Sequence, residues 1–366
     1  MNSLRSALRA LAFAAMTVSL AHAAGNSYEQ HDLVSDGTIA ADHTDRNLVN
    51  AWGLAFGPTT PAWVADNRTG VSTLYDGLGN PQALVVAIPS PTGDSGGSPT
   101  GIVFNGNTND FVVSKGGASG GSAFIFATED GVIAGWSPGV DRTHAIRAVT
   151  RPDTVYKGLA IAPNGTASFL YAADFRNGKI DVFDRTFHLV NAPGGFRDPA
   201  MPAGFAPFNI QNIQGNLYVA YAKQDEAKTD NLKGAGLGFV DVFDADGVLI
   251  HRVASRGKLD APWGLALAPA NFGKFSNRLL VGNFGDGAVL AFDAHSHEFV
   301  GRLRKPDGQL LKIDGLWALV FGNGAQHQPT STLFFTAGPD EENHGLYGTI
   351  TPAPGGADDE GDDKDD

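Results

Sequence analysis

The sequence predicts an all-β fold, a six-bladed β-propeller with four-stranded blades. The first observation is a five-residue element that recurs six times: bulky residue, Gly, aliphatic, small or aliphatic, aliphatic. The copies lie roughly 50 residues apart, the period of a propeller blade. The second is that an apolar run with small residues inside it follows each copy, and a third run of alternating character follows in most. The third is a strand-like segment, Tyr28 to Val34, that precedes the first copy and has no sheet of its own. No long stretch keeps a helical period, and short β-rich runs alternate with Gly, Asn and Asp.

The repeated element is the inner strand of each blade. It reads Trp52-Gly53-Leu54-Ala55-Phe56, Thr100-Gly101-Ile102-Val103-Phe104 and Lys157-Gly158-Leu159-Ala160-Ile161 in the first three blades. Phe208-Asn209-Ile210 is a degenerate copy, followed by Trp263-Gly264-Leu265-Ala266-Leu267 and Trp317-Ala318-Leu319-Val320-Phe321. The second strands are expected at Trp63–Asp66, Phe111–Ser114, Tyr171–Asp174, Tyr218–Tyr221, Leu280–Asn283 and Phe334–Ala337. The third strand is clearest at Gly178–Asp184 and Gly238–Asp244, with Gly70–Asp76 and Gly287–Asp293 on the same plan. Its alternation predicts one buried face and one polar or lightly packed face. The closing Asp is expected to start a turn by accepting a backbone N–H two residues on. Fourth strands follow, for example at Val248 to Val253 and Phe299 to Leu303. The sixth repeat runs out of chain after His344 to Ile350, so Tyr28 to Val34 is expected to complete blade six, close the ring and remove an open edge.

The ends are read separately. Arg5 and Arg9, the apolar run Leu8 to Leu20 and Ala21-His22-Ala23 have the order of a secretory signal peptide over residues 1–23. The propeller is expected over 24–352 and a disordered acidic tail over 353–366, where too little apolar surface exists to drive folding. A cleaved leader implies a secreted or periplasmic protein. There is no cysteine, which excludes disulfides, thiolate metal sites and a Cys nucleophile. The net charge of −13 argues against nucleic acid and anionic lipid as partners. No later segment approaches the roughly 20 apolar residues of a membrane span. A monomer is expected.

Several motifs carry a resemblance: Leu48-Val49-Asn50-Ala51-Trp52-Gly53-Leu54, Phe126-Ala127-Thr128-Glu129-Asp130-Gly131, Ala206–Asn212 and Tyr221-Ala222-Lys223-Gln224-Asp225. On these, Leu48 to Pro352 resembles a family of uncharacterised exported bacterial propeller proteins, some of which carry a C-terminal sorting tail; here the acidic tail is expected in its place. The resemblance implies the fold and lends no activity. More distantly, the blades look like those of NHL-repeat and gluconolactonase-like propellers, which implies a divalent ion at the channel mouth.

Chemistry is expected at that mouth, where inner strands begin and second strands end. The loops entering inner strands carry Asn50, Lys157, Asn209, Asp260 and Asp314. The ends of second strands carry Asp66, Asn67, Ser114, Lys115, Asp174, Lys223, Asp225, Asn283 and Asp340. Trp52, Trp263, Trp317, Phe175 and Phe284 are expected as an aromatic floor beneath them, the mixture a small-molecule site needs. The plainer reading makes the Asn and Asp residues turn formers and loop caps. Blade four is expected to contribute most. Asn209, Gln211 and Asn212 stand where other blades show Gly and aliphatics, and Lys223 with Asp225 offers a cation and a carboxylate beneath a polar loop from Glu226 to Gly236.

Three functions are consistent with this pattern. One is a module that binds a small molecule or peptide. Another is a metal-dependent hydrolase or lactonase using Asp66, Asp174, Asn209 and Asn283, whose oxygens would suit Ca²⁺. The third is a surface or matrix interaction protein. Gly93-Asp94-Ser95-Gly96-Gly97 and Gly117-Ala118-Ser119-Gly120-Gly121 imitate nucleophile motifs but lack the surrounding elements those motifs require.

Overall fold

The computed structural model describes residues 26–354. The expected leader, residues 1–23, and most of the expected acidic tail lie outside the described residues. Within them, six antiparallel sheets form the blades of a propeller. From the inner strand outward, blade one is Ala51–Ala55, Ala62–Asp66, Val71–Tyr75 and Val86–Ala87. Blade three begins with Tyr156–Asn164, blade four with Phe205–Ile213 and blade five with Pro262–Leu267. Each continues outward through three more strands in chain order.

Blade six closes as expected. Its strands Leu316–Phe321, Leu333–Ala337 and Leu346–Pro352 are completed by Tyr28–Ser35, which runs antiparallel to the last of them. The Tyr28 hydroxyl donates to the Phe272 carbonyl and accepts from the Phe275 N–H, both at 2.9 Å, and so ties the closing strand to blade five. A fifth short strand, His43–Thr44, pairs in parallel with Val34–Ser35. At the other end Ala353 is buried and donates to the Ser27 carbonyl, so the ordered ring extends one residue into the segment expected to be tail.

Blade two departs from the expected assignment. Its second strand is Phe124–Thr128, paired with the inner strand Pro99–Phe104. The run expected there belongs to a separate hairpin, Val112–Lys115 with Ala118–Gly121, inserted between the first and second strands. Both runs are short and apolar, and a Gly-rich turn follows each, so periodicity alone does not choose between them.

The third strands also differ from expectation. Asp181, Asp241, Ser72 and Thr73 are all buried, so neither face of these strands is open. Each blade is sandwiched between two others, and an apolar cluster fills each gap. Trp63, Phe124, Phe126 and Trp136 pack between blades one and two, and Tyr171, Phe196, Val219 and Phe243 between three and four. The buried polar groups are paired: Asp181 accepts from the Tyr156 hydroxyl at 2.8 Å and Asp241 from Arg252 Nε at 3.0 Å. The closing Asp residues behave as expected. Asp76, Asp184, Asp244 and Asp293 each accept from a backbone N–H two residues on, at 2.8 to 3.0 Å.

The inner-strand glycine has a steric cause. Inner strands of neighbouring blades converge on the axis, and a Cβ on Gly53 would be driven into the Thr100 carbonyl of the next inner strand. A Cβ on Gly158 would be driven into Asn209. Among the described residues no helix is long and apolar enough to cross a membrane.

Candidate functional site at the channel mouth

The channel is plugged at its centre by aromatic rings. Trp52 and Phe284 both stack on Trp317, with centroids 3.7 and 3.9 Å away, and Trp263 meets Trp317 edge-on at 5.9 Å. Phe208 contacts Trp317 and Phe175. These residues come from inner strands and from the turns after second strands, which the ring geometry brings to one point.

Above this floor lies a polar cluster assembled from five blades. Lys157 is only 2% exposed, yet its Nζ is 2.6 Å from Glu129 Oε1 and 3.5 Å from Asp230 Oδ1. It also lies 5.0 Å from the Trp52 ring centroid and 6.0 Å from that of Phe175, close enough for cation–π attraction. Asn67 donates to Glu129 Oε2 at 2.9 Å. Asn50 donates to Glu342 Oε2 at 2.8 Å and to Asn67 Oδ1 at 3.2 Å, and accepts from Trp317 Nε1 at 2.9 Å. Asn50 holds a left-handed backbone, φ 50°, pinned by these bonds.

Glu342 reaches the cluster through an unusual turn. Asp340, Glu341 and Glu342 have φ of 54°, 52° and 66°, three consecutive non-glycine residues in the left-handed region. Each such residue costs about 1–2 kcal/mol. The Asp340 N–H donates to Asp314 Oδ2, and Glu341 pairs with Lys233 of the blade-four loop at 3.3 Å. That loop is anchored below by Asp260, whose carboxylate accepts from the Gly234 N–H at 2.6 Å.

The charges are unbalanced, with three carboxylates around one ammonium. Burial opposes the Lys157 charge, but Glu129 and Asp230 outweigh it and hold its pKa above the usual 10.5. Lys157 is therefore a fixed cation and not a free amine nucleophile. Burial, reinforced by Asp230, holds the Glu342 carboxyl above its usual 4.5 in spite of Lys157.

Of the expected site residues, Asn50, Asn67 and Lys157 meet here. Asp66, Asp174 and Asn283 are instead caps at equivalent strand ends. Asp66 accepts from Thr73 Oγ1 at 2.8 Å, Asp174 from Asn177 Nδ2 at 2.7 Å, and Asn283 from the Asp260 N–H at 3.1 Å. Burial raises the pKa of both aspartates. Asn209 is a strut between blades, donating to the Trp263 carbonyl at 2.8 Å. The four residues expected to hold Ca²⁺ are thus engaged separately. Among the described residues no group of three His, Cys, Asp or Glu side chains is placed to hold a metal ion.

The expected blade-four pair is also corrected. Lys223 donates to the Ala203 carbonyl and lies over Phe205 at the rim, while Asp225 caps its own loop through the Thr229 N–H. Asp230, five residues further on, reaches the mouth instead. Gln211 lines the channel below the aromatic plug. Asp314 and Asp340 are exposed, and the Asp314 carboxylate accepts from the Asp340 N–H at 2.8 Å. Ser114 and Lys115 sit on the inserted hairpin, where Lys115 pairs with Asp141 at 3.0 Å.

Glu129, Asp230 and Glu342 were not expected. Glu129 follows the true second strand of blade two, and a turn signal, Glu129-Asp130-Gly131, marks it. Asp230 and Glu342 sit within loops, and no local pattern distinguishes them from neighbouring acidic residues.

An uncharacterized protein of Acanthamoeba polyphaga mimivirus, R648, is 35% identical over 328 residues, covering 87% of this chain and 78% of its own length. A second from the same virus, L690, is 34% identical over 326 residues, covering 87% and 84%. The chain belongs to their family. No family model matches the chain. Among solved structures, a protein of unknown function from Bacteroides thetaiotaomicron matches with TM-score 0.54 and 10% identity, over 88% of this chain and 72% of that one. A streptogramin B lyase structure matches with TM-score 0.49 and 9% identity, over 89% and 97%. The first likeness bears on fold, and neither carries an activity across.

Proposed function

We propose that this protein is an exported binding propeller that holds a small molecule or peptide bearing a cationic group at the channel mouth. One observation carries the reading. A buried ammonium, Lys157, is already seated against Glu129, Asp230 and two aromatic faces, a further carboxylate, Glu342, stands beside it, and a second ammonium, Lys233, lies over Phe284 of the same floor while pairing with Glu341. Such a box favours an ammonium or guanidinium group, because carboxylates supply charge-assisted bonds and rings supply cation–π attraction. Burial and Asp230 oppose ionisation of Glu342, and a cation bound beside it would favour the charged form, so affinity should rise as pH rises through the Glu342 pKa.

The test is a thermal-shift and calorimetric titration of the mature protein with choline, agmatine and a lysyl dipeptide, each against a neutral isostere. A saturable rise in melting temperature with the cations alone, abolished by Asp230→Asn with Glu342→Gln, is the expected result. Equal response to neutral and cationic probes, or full retention of binding in the double variant, overturns the reading.

A further inference from the structure

The opposite end of the channel has a different chemistry. There the inner strands end around a funnel of about 420 Å³, within the range of small-molecule pockets. Its wall is built from blades one, two, three, four and six, including Phe56, Phe104, Ile161 and Phe321. The funnel narrows into a cavity of about 20 Å³ that lies below Trp263, and Leu54, Ile102, Gln211 and Val320 line both. No charged side chain lines either space, although the chain has 18% charged residues and a net charge of −13. A second groove, of about 290 Å³, adjoins through Phe104 and Ile161.

Three amides enter this apolar wall, and they differ in state. Asn212 donates to the Ile161 carbonyl at 2.9 Å. Asn323 donates to the Gly57 and Thr60 carbonyls at 2.7 and 3.0 Å. Both therefore hold loops. The Gln211 side chain has no hydrogen-bond partner among the described residues. The corresponding position of the repeat is Ala55, Val103, Ala160, Ala266 or Val320 in the other blades. One blade in six thus breaks an apolar rule at the neck of the funnel and leaves a donor and an acceptor unpaired. The side chain is partly exposed to the funnel, so water meets its amide when the funnel is empty, and a ligand that replaces that water can take up its donor and acceptor.

We infer that this funnel is a second binding site, distinct from the mouth, for an uncharged and mainly apolar small molecule with one carbonyl, hydroxyl or amide that pairs with Gln211. The absence of charge in the lining rejects ions, which would be desolvated without compensation. The aromatic and aliphatic wall supplies affinity, and Gln211 supplies orientation. The aromatic plug of Trp52, Trp263 and Trp317 separates this site from the charged cluster, so the two ends select opposite chemistries.

The experiment uses the mature protein and Nile red, a neutral dye with a carbonyl, whose fluorescence reports a dry apolar site. Saturable binding at one dye per chain is expected. Val320→Trp, which fills the funnel from a partly exposed position, should weaken it by about tenfold or more. Gln211→Leu should weaken it roughly three- to tenfold, the worth of one hydrogen bond, with an unchanged melting temperature. Glu342→Gln, at the far end, should bind dye as the parent does. If Val320→Trp does not fold, Gln211→Asp decides, since a charge at the neck should exclude the dye. Binding that never saturates, or that survives intact in the folded funnel variants, overturns the proposal.

Discussion

At the residue scale, Lys157 carries the mouth cluster. Among the described residues its ammonium is the only cation paired with Glu129 and Asp230, and it is buried while they are partly exposed. Removing one partner of a buried ion pair is costly because the other charges remain. The carboxylates left behind are partly open to water, so Lys157→Met should lose about 1–2 kcal/mol at pH 7, measured by urea unfolding. The loss should shrink in a Glu129→Gln, Asp230→Asn background, which removes the stranded charges. Equal loss in both backgrounds would show that packing, not charge, is what Lys157 supplies. Glu342 gives the complementary test. Its folded pKa is raised, so its contribution is fully present below about pH 4.5 and is lost as pH rises through the folded value. Glu342→Gln keeps an acceptor for Asn50 but cannot ionise. It should match the parent near pH 4 and be the more stable of the two at pH 8, and the reverse order at pH 8 would refute the assignment.

At the scale of strands and loops, two contacts decide whether the ring closes. The strand Tyr28–Ser35 supplies the outer edge of blade six and buries Tyr28 against Phe272 and Phe275. Deleting residues 28–34 should cost more than about 5 kcal/mol, enough to unfold a protein of ordinary stability. Trimming residues 355–366 should leave the melting temperature within about 2 °C of the parent, a shift of under roughly 1 kcal/mol. Two truncations that melt alike would remove the closure argument. The second contact is Gly158 against Asn209. Gly158→Ala should destabilise by about 1–3 kcal/mol through overpacking. Adding Asn209→Gly should return part of that loss, and a double-mutant cycle with zero coupling would mean the two strands do not meet there.

On the scale of the whole molecule, the radial plan explains why polar chemistry gathers at one end and apolar chemistry at the other. Turns after second strands and loops before inner strands all open at one face, and these segments carry Asn, Asp, Glu and Lys. Strand interiors meet at the other, and they carry Ile, Val and Phe. The expected export follows from the first residues. Mass spectrometry of the secreted or periplasmic fraction should find Ala24 as the first residue, and light scattering should give the mass of one chain. A cytosolic product that keeps Met1 would refute the leader.

What the sequence determined by itself was the architecture. Six copies of an inner-strand element, four Asp turn starters and one orphan strand sufficed for blade count and closure, because periodicity is a local property that neighbouring residues display together. The mouth as a meeting place of Asn50, Asn67 and Lys157 followed from the same periodicity. Tertiary structure alone decided which acids meet that lysine. Glu129 was hidden by a hairpin that imitates a strand, and Asp230 and Glu342 come from loops whose paths are set by contacts such as Gly234 with Asp260 and Lys233 with Glu341. Tertiary structure also decided that Asp66, Asp174 and Asn283 cap turns, while Gln211 faces an apolar funnel with no partner of its own. An aspartate that caps and one that binds a ligand have the same local sequence, and only the position of the next blade tells them apart.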